Sequence, residues 1–289
     1  MDIKTALDEA VRQLTAAEIE TPRLDVLVLL EDATDKDRGW ILAHPEFELH
    51  QETVESLQNM IERRAAHEPL AYIRNKAEFY GREFFVNSDV LVPRPESEDI
   101  ITLLKNINPS SSNTTVIDIG TGSGCLAITA KLELPNSTVY AVDISNQALE
   151  VTRKNAKALN TEITPLAGNL LEPFMDDKTP LHGAILLCNL PYVPATYPIN
   201  KAAGFEPGLA LYGGTDGLDL YRVLFEQLRV EGVLQPSHII AESMPSQHEA
   251  LLNMAQEYDY ELYAREGFIL DLSYSPSSQA LRAAASQQE

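Results

Sequence analysis

Val116-Ile117-Asp118-Ile119-Gly120-Thr121-Gly122-Ser123-Gly124 reads as a strand ending in a tight glycine turn, and Cys125 to Leu132 continues as a helix. Glycine adopts turn dihedrals that other residues resist and lets a ligand approach the backbone closely. The next strand, Thr138 to Val142, is closed by Asp143, where a carboxylate can accept hydrogen bonds from both hydroxyls of a ribose. Strand, loop, helix, strand and acid in this order is a stronger signal than a glycine loop by itself. The loop lacks the full G-x-G-x-x-G spacing of dinucleotide sites and the lysine of a phosphate-binding loop. A nucleoside cofactor fits best, held by Gly120, Thr121, Gly122, Ser123, Gly124 and Asp143.

Outward from this stretch the same alternation continues. Strands are predicted at Thr115 to Ile119, Thr138 to Val142, Ile163 to Ala167, Ala184 to Cys188, Ile239 to Glu242, Glu261 to Ala264 and Phe268 to Ser273. Helices fill most of the gaps, which implies a mostly parallel seven-stranded α/β sheet covered on both faces. Too few residues join the last two strands for a crossover helix, so they are expected to pair antiparallel. Residues 1–75 instead repeat apolar positions at helical spacing, as in Ile3, Leu7, Ala10, Val11 and Leu14 and again in Val54, Leu57, Met60 and Ile61. Thr21-Pro22 reads as an N-cap with proline in the first helical position. Glu78 to Val86 is expected to form a hairpin around Gly81, before Pro93-Arg94-Pro95 breaks the chain. The expected organisation is a small helical bundle over 1–75, a hairpin linker over 76–92, an α/β domain over 93–275 and a disordered Ser-, Gln- and Ala-rich tail over 276–289.

Composition narrows the class of protein. With 289 residues, 44% of them hydrophobic and 22% charged, the chain can bury a sizeable core. No apolar run approaches the roughly 18 residues of a membrane span, and the first thirty residues do not resemble a secretory signal. Cys125 and Cys188 form neither a disulfide framework nor a metal-ligand spacing, so no metal is expected and a reducing cytoplasm suits the chain. The net charge of -21 is spread along the whole length, which argues against a bare nucleic-acid substrate. Arg63, Arg64, Arg74, Lys76 and Arg82 form the densest basic stretch, readable as a solvated face or as a docking patch for an acidic or RNA-bearing partner.

Asn189-Leu190-Pro191-Tyr192 follows the apolar run Ala184 to Cys188. Asn, Pro and Tyr all suit a strand-ending turn. They also present oxygen acceptors and an aromatic face to an amide or amino nitrogen, and the upstream glycine loop favours this second reading. Cys188 is a candidate nucleophile with no histidine adjacent in sequence, which favours a small buried cysteine instead.

Phe79-Tyr80-Gly81, Leu91-Val92-Pro93-Arg94-Pro95-Glu96-Ser97-Glu98, Asn189-Leu190-Pro191-Tyr192 and Glu206-Pro207 with Gly213-Gly214-Thr215-Asp216-Gly217-Leu218-Asp219-Leu220-Tyr221 together resemble the HemK/PrmC release-factor glutamine methyltransferases. The resemblance spans most of the chain. It implies a Rossmann-like class I methyltransferase sheet with an antiparallel last strand, S-adenosylmethionine as cofactor, and a class I peptide chain release factor as partner. The methyl acceptor would be the side-chain nitrogen of the glutamine in the factor's Gly-Gly-Gln motif, and the N-terminal helical domain would help to dock the factor. Asn189, Leu190, Pro191 and Tyr192 would then be catalytic, with Asn169, Leu170 and Asn189 joining the glycine loop and Asp143 around the cofactor. Asn189 Oδ1 and the Leu190 carbonyl would each accept one amide hydrogen, and Tyr192 would stack on the amide plane.

The sequence departs from the family at four places. Leu190 stands where Asn-Pro-Pro-Tyr is usual, Asn169 where Asp is common, and Glu242-Ser243-Met244 and Arg265 to Ser273 differ from the usual Glu-Ile-Gly and Arg-Asp-Arg patterns. Leucine keeps the backbone carbonyl but adds an N–H that needs a partner, so Leu190→Pro is expected to be neutral or activating if that N–H is unbonded. Two other readings stay open: an adenine-N6 nucleic-acid methyltransferase, since the exocyclic amine suits the same turn, and a divergent member that binds cofactor or partner without catalysis.

Overall fold

A computed structural model describes residues 1–107, 114–176, 179–230 and 235–276. All but the first residue of the expected tail, 276–289, lie outside the described residues. The chain divides into two compact units: Met1–Lys76 together with Ile199–Phe205, and the remainder from Ala77.

In the smaller unit the helices are α1 (Ile3–Ala16), α2 (Pro22–Thr34), α3 (Arg38–Ala43), α4 (Gln51–Ala65) and α5 (Leu70–Arg74). Asp2 caps α1 by accepting the Thr5 N–H. The predicted apolar stripe is buried: Ile3, Leu7, Ala10 and Leu14 of α1 meet Leu57 and Ile61 of α4 in one core. Pro22 does open α2, but Thr21 does not cap it through its side chain. Its hydroxyl donates to Asp25 Oδ1 at 2.7 Å instead, and Asp25 also receives Arg64 Nε at 2.6 Å. The basic stretch is paired within the chain: Arg63 with Glu68, Arg64 with Asp25, Arg74 and Lys76 with Asp32, and Arg82 with Glu133. Each of these five cations thus has an acidic partner within the chain.

The larger unit begins with a hairpin, β1 (Ala77–Phe79) and β2 (Arg82–Phe84). Tyr80 and Gly81 both have positive φ, 52° and 69°, as a two-residue hairpin turn of this hand requires. Phe79 and Phe84 are fully buried with Ile100, Ile101 and Leu104 of α6 (Glu98–Asn106). This part of the stretch expected as a linker, 76–92, is therefore core, because two buried aromatic rings bind it to the unit it precedes.

The predicted sheet is present as β3 (Thr115–Ile119), β4 (Thr138–Asp143), β5 (Thr164–Ala167), β6 (Ile185–Cys188), β7 (His238–Glu242), β8 (Tyr260–Glu266) and β9 (Ile269–Tyr274). Its order is β5-β4-β3-β6-β7-β9-β8, parallel from β5 to β7, with β9 antiparallel to both of its neighbours. The helices of this unit are completed by α7 (Cys125–Glu133), α8 (Asn146–Ala158), α9 (Gly208–Leu211), α10 (Asp219–Leu228) and α11 (His248–Gln256). Alternate residues of β3 enter different cores, Ile117 and Ile119 one and Val116 the other, so the sheet is buried on both faces. Strand order reverses at β3, whose neighbours are β4 and β6, and that reversal opens a crevice beyond the carboxyl ends of these strands.

Candidate functional site

The crevice is a pocket enclosing about 1140 Å³ of empty space with its open mouth included. Gly120, Thr121, Gly122, Ser123, Asp143, Asn169, Leu170, Asn189, Leu190 and Pro191 line it together. Gly124 and Tyr192, read from the sequence as part of the same site, do not.

Beyond β3, Gly120, Gly122 and Gly124 take φ of 74°, 53° and 80°, in the left-handed region where a side chain costs roughly 1–2 kcal/mol. The N–H groups of Gly120 and Thr121 both reach Val142 O at 2.9 Å, tying the loop to the end of β4. Asp118, buried behind the loop, accepts from Thr121 Oγ1 at 2.6 Å and Ala127 N at 3.1 Å. Burial pushes its carboxyl up to about 7. Asp118 was not among the sequence-derived site residues, although its place as a strand acid just before the glycines was a usable signal. Gly124 precedes α7 with a built Cβ only 3.0 Å from Thr152 Cγ2, so its glycine serves packing. A Cβ at Gly122, by contrast, would meet no atom nearer than 4.0 Å.

Asp143 ends β4, half-buried at the pocket wall. Its Oδ2 accepts the Gly122 N–H at 2.9 Å and its Oδ1 the Ser145 N–H at 2.8 Å. Burial raises its carboxyl above the usual value against these two bonds. Each carboxylate oxygen has a further lone pair, so the residue can hold the loop and accept ribose hydroxyls together. Asn155, which no motif singled out, is the other staple. Its amide nitrogen donates to Ser123 O at 2.8 Å and Phe85 O at 2.9 Å, while its Oδ1 accepts from Phe85 N at 2.7 Å. Asn169 and Leu170 stand on the loop after β5. Leu170 has φ of 57°, and Gln227 of α10 braces the loop by donating to Asn169 O and accepting from Leu171 N. The open carboxylate, the glycines bordering empty space and the neighbouring asparagine fit a nucleoside cofactor.

At the other wall the turn after β6 depends on residues far away in sequence. Asn189 Nδ2 donates to Ser97 Oγ at 2.7 Å. Leu190 is 2% exposed and packs beside Gly120, whose built Cβ would sit 3.4 Å from Leu190 Cδ2. The Tyr221 hydroxyl beneath the turn donates to Cys188 O at 2.9 Å and Glu242 O at 2.7 Å. Tyr192 Oη donates to Glu242 Oε1 at 2.9 Å. Gln247 donates to Tyr192 O at 2.8 Å and to Asp216 O at 2.7 Å. Built Cβ atoms at Gly213 and Gly217 would fall 2.2 Å from Pro191 O and 2.0 Å from Tyr192 O, which explains these glycines as close-approach positions against the turn. Arg94 and the Val92 N–H both bond to buried Glu206, so the Pro-Arg-Pro segment and Glu206-Pro207 brace one another. Cys188 is fully buried, its thiol pushed up by burial and by the Asp118 charge, and it has no nucleophilic role.

Among the described residues no helix is long and apolar enough to cross a membrane, and no group of three or more His, Cys, Asp and Glu side chains is arranged around a metal position.

This chain has clear relatives. The PrmC N-terminal domain model matches residues 5–74, and the ribosomal protein L11 methyltransferase (PrmA) model matches residues 100–181. The release factor glutamine methyltransferase of Koribacter versatilis is 36% identical over 231 residues, 79% of this chain and 81% of that one. Its counterpart from Moorella thermoacetica is 38% identical over 262 residues, 89% and 90% of the two chains. Among solved structures, the hMettl16 catalytic domain in complex with MAT2A 3'UTR hairpin 1 superposes with a TM-score of 0.53 at 12% identity, covering 81% of this chain and 84% of that one, a likeness of fold alone. Identity at this level across both halves of the sequence, on a class I methyltransferase sheet, means that the chain belongs to the release factor glutamine methyltransferase family.

Proposed function

We propose that this enzyme transfers a methyl group from S-adenosylmethionine to the side-chain amide nitrogen of the glutamine in the Gly-Gly-Gln motif of a class I peptide chain release factor. The observation that carries the reading is the single pocket in which the glycine loop and Asp143 face Asn189, Leu190 and Pro191. It is supported by the names of the relatives just described.

When bound, the cofactor supplies an electrophilic sulfonium methyl. Gly120, Gly122 and Ser123 give it backbone to lie against, Asp143 accepts from its ribose, and Asn169 meets its base. The acceptor is a poor nucleophile because an amide nitrogen shares its lone pair with the carbonyl. Asn189 Oδ1 and the Leu190 carbonyl each accept one amide hydrogen, favour a pyramidal nitrogen and aim its lone pair across the pocket. Alignment of this kind can account for about 7 to 11 kcal/mol of a barrier. Stacking by Tyr192 has less support, since its ring does not line the pocket and its hydroxyl is held by Glu242. The helical unit takes the part of docking the release factor, in keeping with its match to the PrmC N-terminal domain.

The test is transfer of a labelled methyl to a purified class I release factor, beside the same factor with its Gly-Gly-Gln glutamine replaced and a DNA control. Label on the intact factor alone is expected. Label on DNA would favour the adenine-N6 reading, and no label on any substrate would favour a member without catalysis.

A further inference from the structure

The Asn189 side chain finds its support far from its own strand end. Its Nδ2 donates to Ser97 Oγ at 2.7 Å, across 92 positions of sequence. Among the described residues this is the one hydrogen bond that the side chain makes. The torsion that turns an asparagine amide about its Cβ–Cγ bond has a broad, roughly two-fold preference, so no rotamer rule sets the plane of the group. Nδ2 and Oδ1 sit on one planar carbon. Whatever holds Nδ2 therefore decides where Oδ1 points.

Ser97 is placed to be that anchor. It stands at the N-cap position of α6, where a serine hydroxyl ordinarily accepts a free N–H of the first helical turn. Here the side chain makes no capping bond, and the residue is already helical, with φ of -70° and ψ of -13°. Its hydroxyl faces Asn189 instead, in a residue only 1% exposed. The base beneath it is stiff. The Ser97 N–H bonds to Arg94 O at 3.1 Å, and buried Glu206 holds Arg94 Nη2 at 2.6 Å and the Val92 N–H at 3.2 Å. On the other side Glu98 accepts the Tyr80 N–H at 2.7 Å, and Ile100 and Ile101 of α6 are fully buried. A group presented from so fixed an element holds its neighbour more closely than one on a free loop.

We propose that Ser97 is a positioning residue for methyl transfer, which by holding Nδ2 fixes the plane of the Asn189 amide and turns its Oδ1 toward the methyl acceptor. The proposal rests on reading Asn189 as the acceptor-binding residue. Ser97 and Asn189 both line the pocket, but Ser97 acts through Asn189 and not on the reacting atoms. Without the hydroxyl the amide turns about its Cβ–Cγ bond. Oδ1 then leaves its place, or the NH2 end meets an acceptor nitrogen that carries hydrogens of its own. The glycine loop and Asp143 stand on the other wall, so the cofactor keeps its contacts there.

The test uses the full chain in four forms: unsubstituted, Ser97→Ala, Asn189→Ala and the double variant. Hydrogen exchange of the 15N-labelled Asn189 side-chain amide is measured without release factor in the two forms that keep Asn189. Steady-state kinetics with a release factor and calorimetric titration of S-adenosylmethionine are run on all four. Exchange of the Asn189 amide is expected to accelerate in Ser97→Ala. Its kcat is expected to fall by up to about a hundredfold, as for a small misplacement at a reacting centre, while KM and cofactor affinity move much less. In the Asn189→Ala background the same substitution should change kcat by no more than about twofold, because two residues acting as one unit are not additive. A loss that repeats in full in that background overturns the proposal, as do unchanged amide exchange in Ser97→Ala and a loss confined to KM. Unsubstituted protein that labels no release factor would instead sink the functional reading, while the exchange measurement still decides whether Ser97 holds the Asn189 amide.

Discussion

The two walls of the pocket are built by different means. The glycine loop, residues 120–124, takes its shape largely from within: positive φ at three glycines, a buried Asp118 two residues before the first, and N–H groups tied to Val142 and Asp143 of the adjacent strand. The Asn189–Tyr192 turn has little of this. Ser97, Gly213, Gly217, Glu242 and Gln247 hold it, and the Asn189–Ser97 bond alone spans 92 positions of sequence. The cofactor side thus carries its own instructions, whereas the acceptor side is assembled by the whole unit. Substitutions in the loop should therefore act locally on cofactor binding, and substitutions around the turn should act on turnover from a distance.

The sharpest separation is expected at Asn189. Asn189→Ala should lower turnover by on the order of 2.7–4 kcal/mol, roughly a hundred- to a thousandfold, because an oriented polar partner at the reacting centre is lost. Cofactor affinity should change far less. Steady-state kinetics with a release factor, set beside calorimetric titration of the cofactor, checks both, and full turnover in the variant would discard the amide clamp.

Next in size is a pair of glycine substitutions. Gly217→Ala forces a Cβ to within 2.0 Å of Tyr192 O at φ of 83°, adding overpacking of about 1–3 kcal/mol to the left-handed strain. Gly122→Ala meets open space and carries only that strain, about 1–2 kcal/mol. Thermal unfolding should rank Gly217→Ala as the less stable variant. The opposite ranking would mean that the turn yields more easily than the loop, and the contrast between the walls would fall.

Asp143→Ala should weaken cofactor binding by about 1.5–3 kcal/mol, the range for hydrogen bonds to a charged group. It also frees the N–H groups of Gly122 and Ser145, so some local loosening accompanies the loss. Calorimetry on the folded variant reads the affinity, and an unchanged value would remove Asp143 from the site.

The smallest effect is expected for Leu190→Pro. Losing one buried carbon costs about 0.8 kcal/mol, while a stiffer unfolded chain returns about 0.4–1 kcal/mol. The two nearly cancel, so stability within about 0.5 kcal/mol of the unsubstituted protein and an unchanged or modestly higher rate follow. Turnover abolished in the variant would indicate that this turn is built around leucine for a different acceptor.

The sequence by itself determined the seven strands, their alternation with helices, the antiparallel closing pair and the glycine loop with its ribose acid. Each rests on a short-range rule: apolar runs of strand length, glycine where φ is positive, an acid at a strand end, a connection too short for a helix. The apolar stripe of α1 was legible for the same reason. Other features depended on contacts that no local pattern encodes. Thr21 met the local rule for a cap, but Asp25 one turn later took its hydroxyl. The hairpin read as a linker became core because Phe79 and Phe84 found α6. Leu190 looked like a defect in the turn until folding packed its side chain beside Gly120. Ser97, Asn155 and Glu242 gave no local sign of their roles, since a hydrogen bond between residues tens of positions apart leaves no periodicity to read. The chain could announce a cofactor loop from its own backbone chemistry, but only folding brings Ser97 to Asn189 and Glu242 to Tyr192, because those partners lie 92 and 50 positions away along the chain.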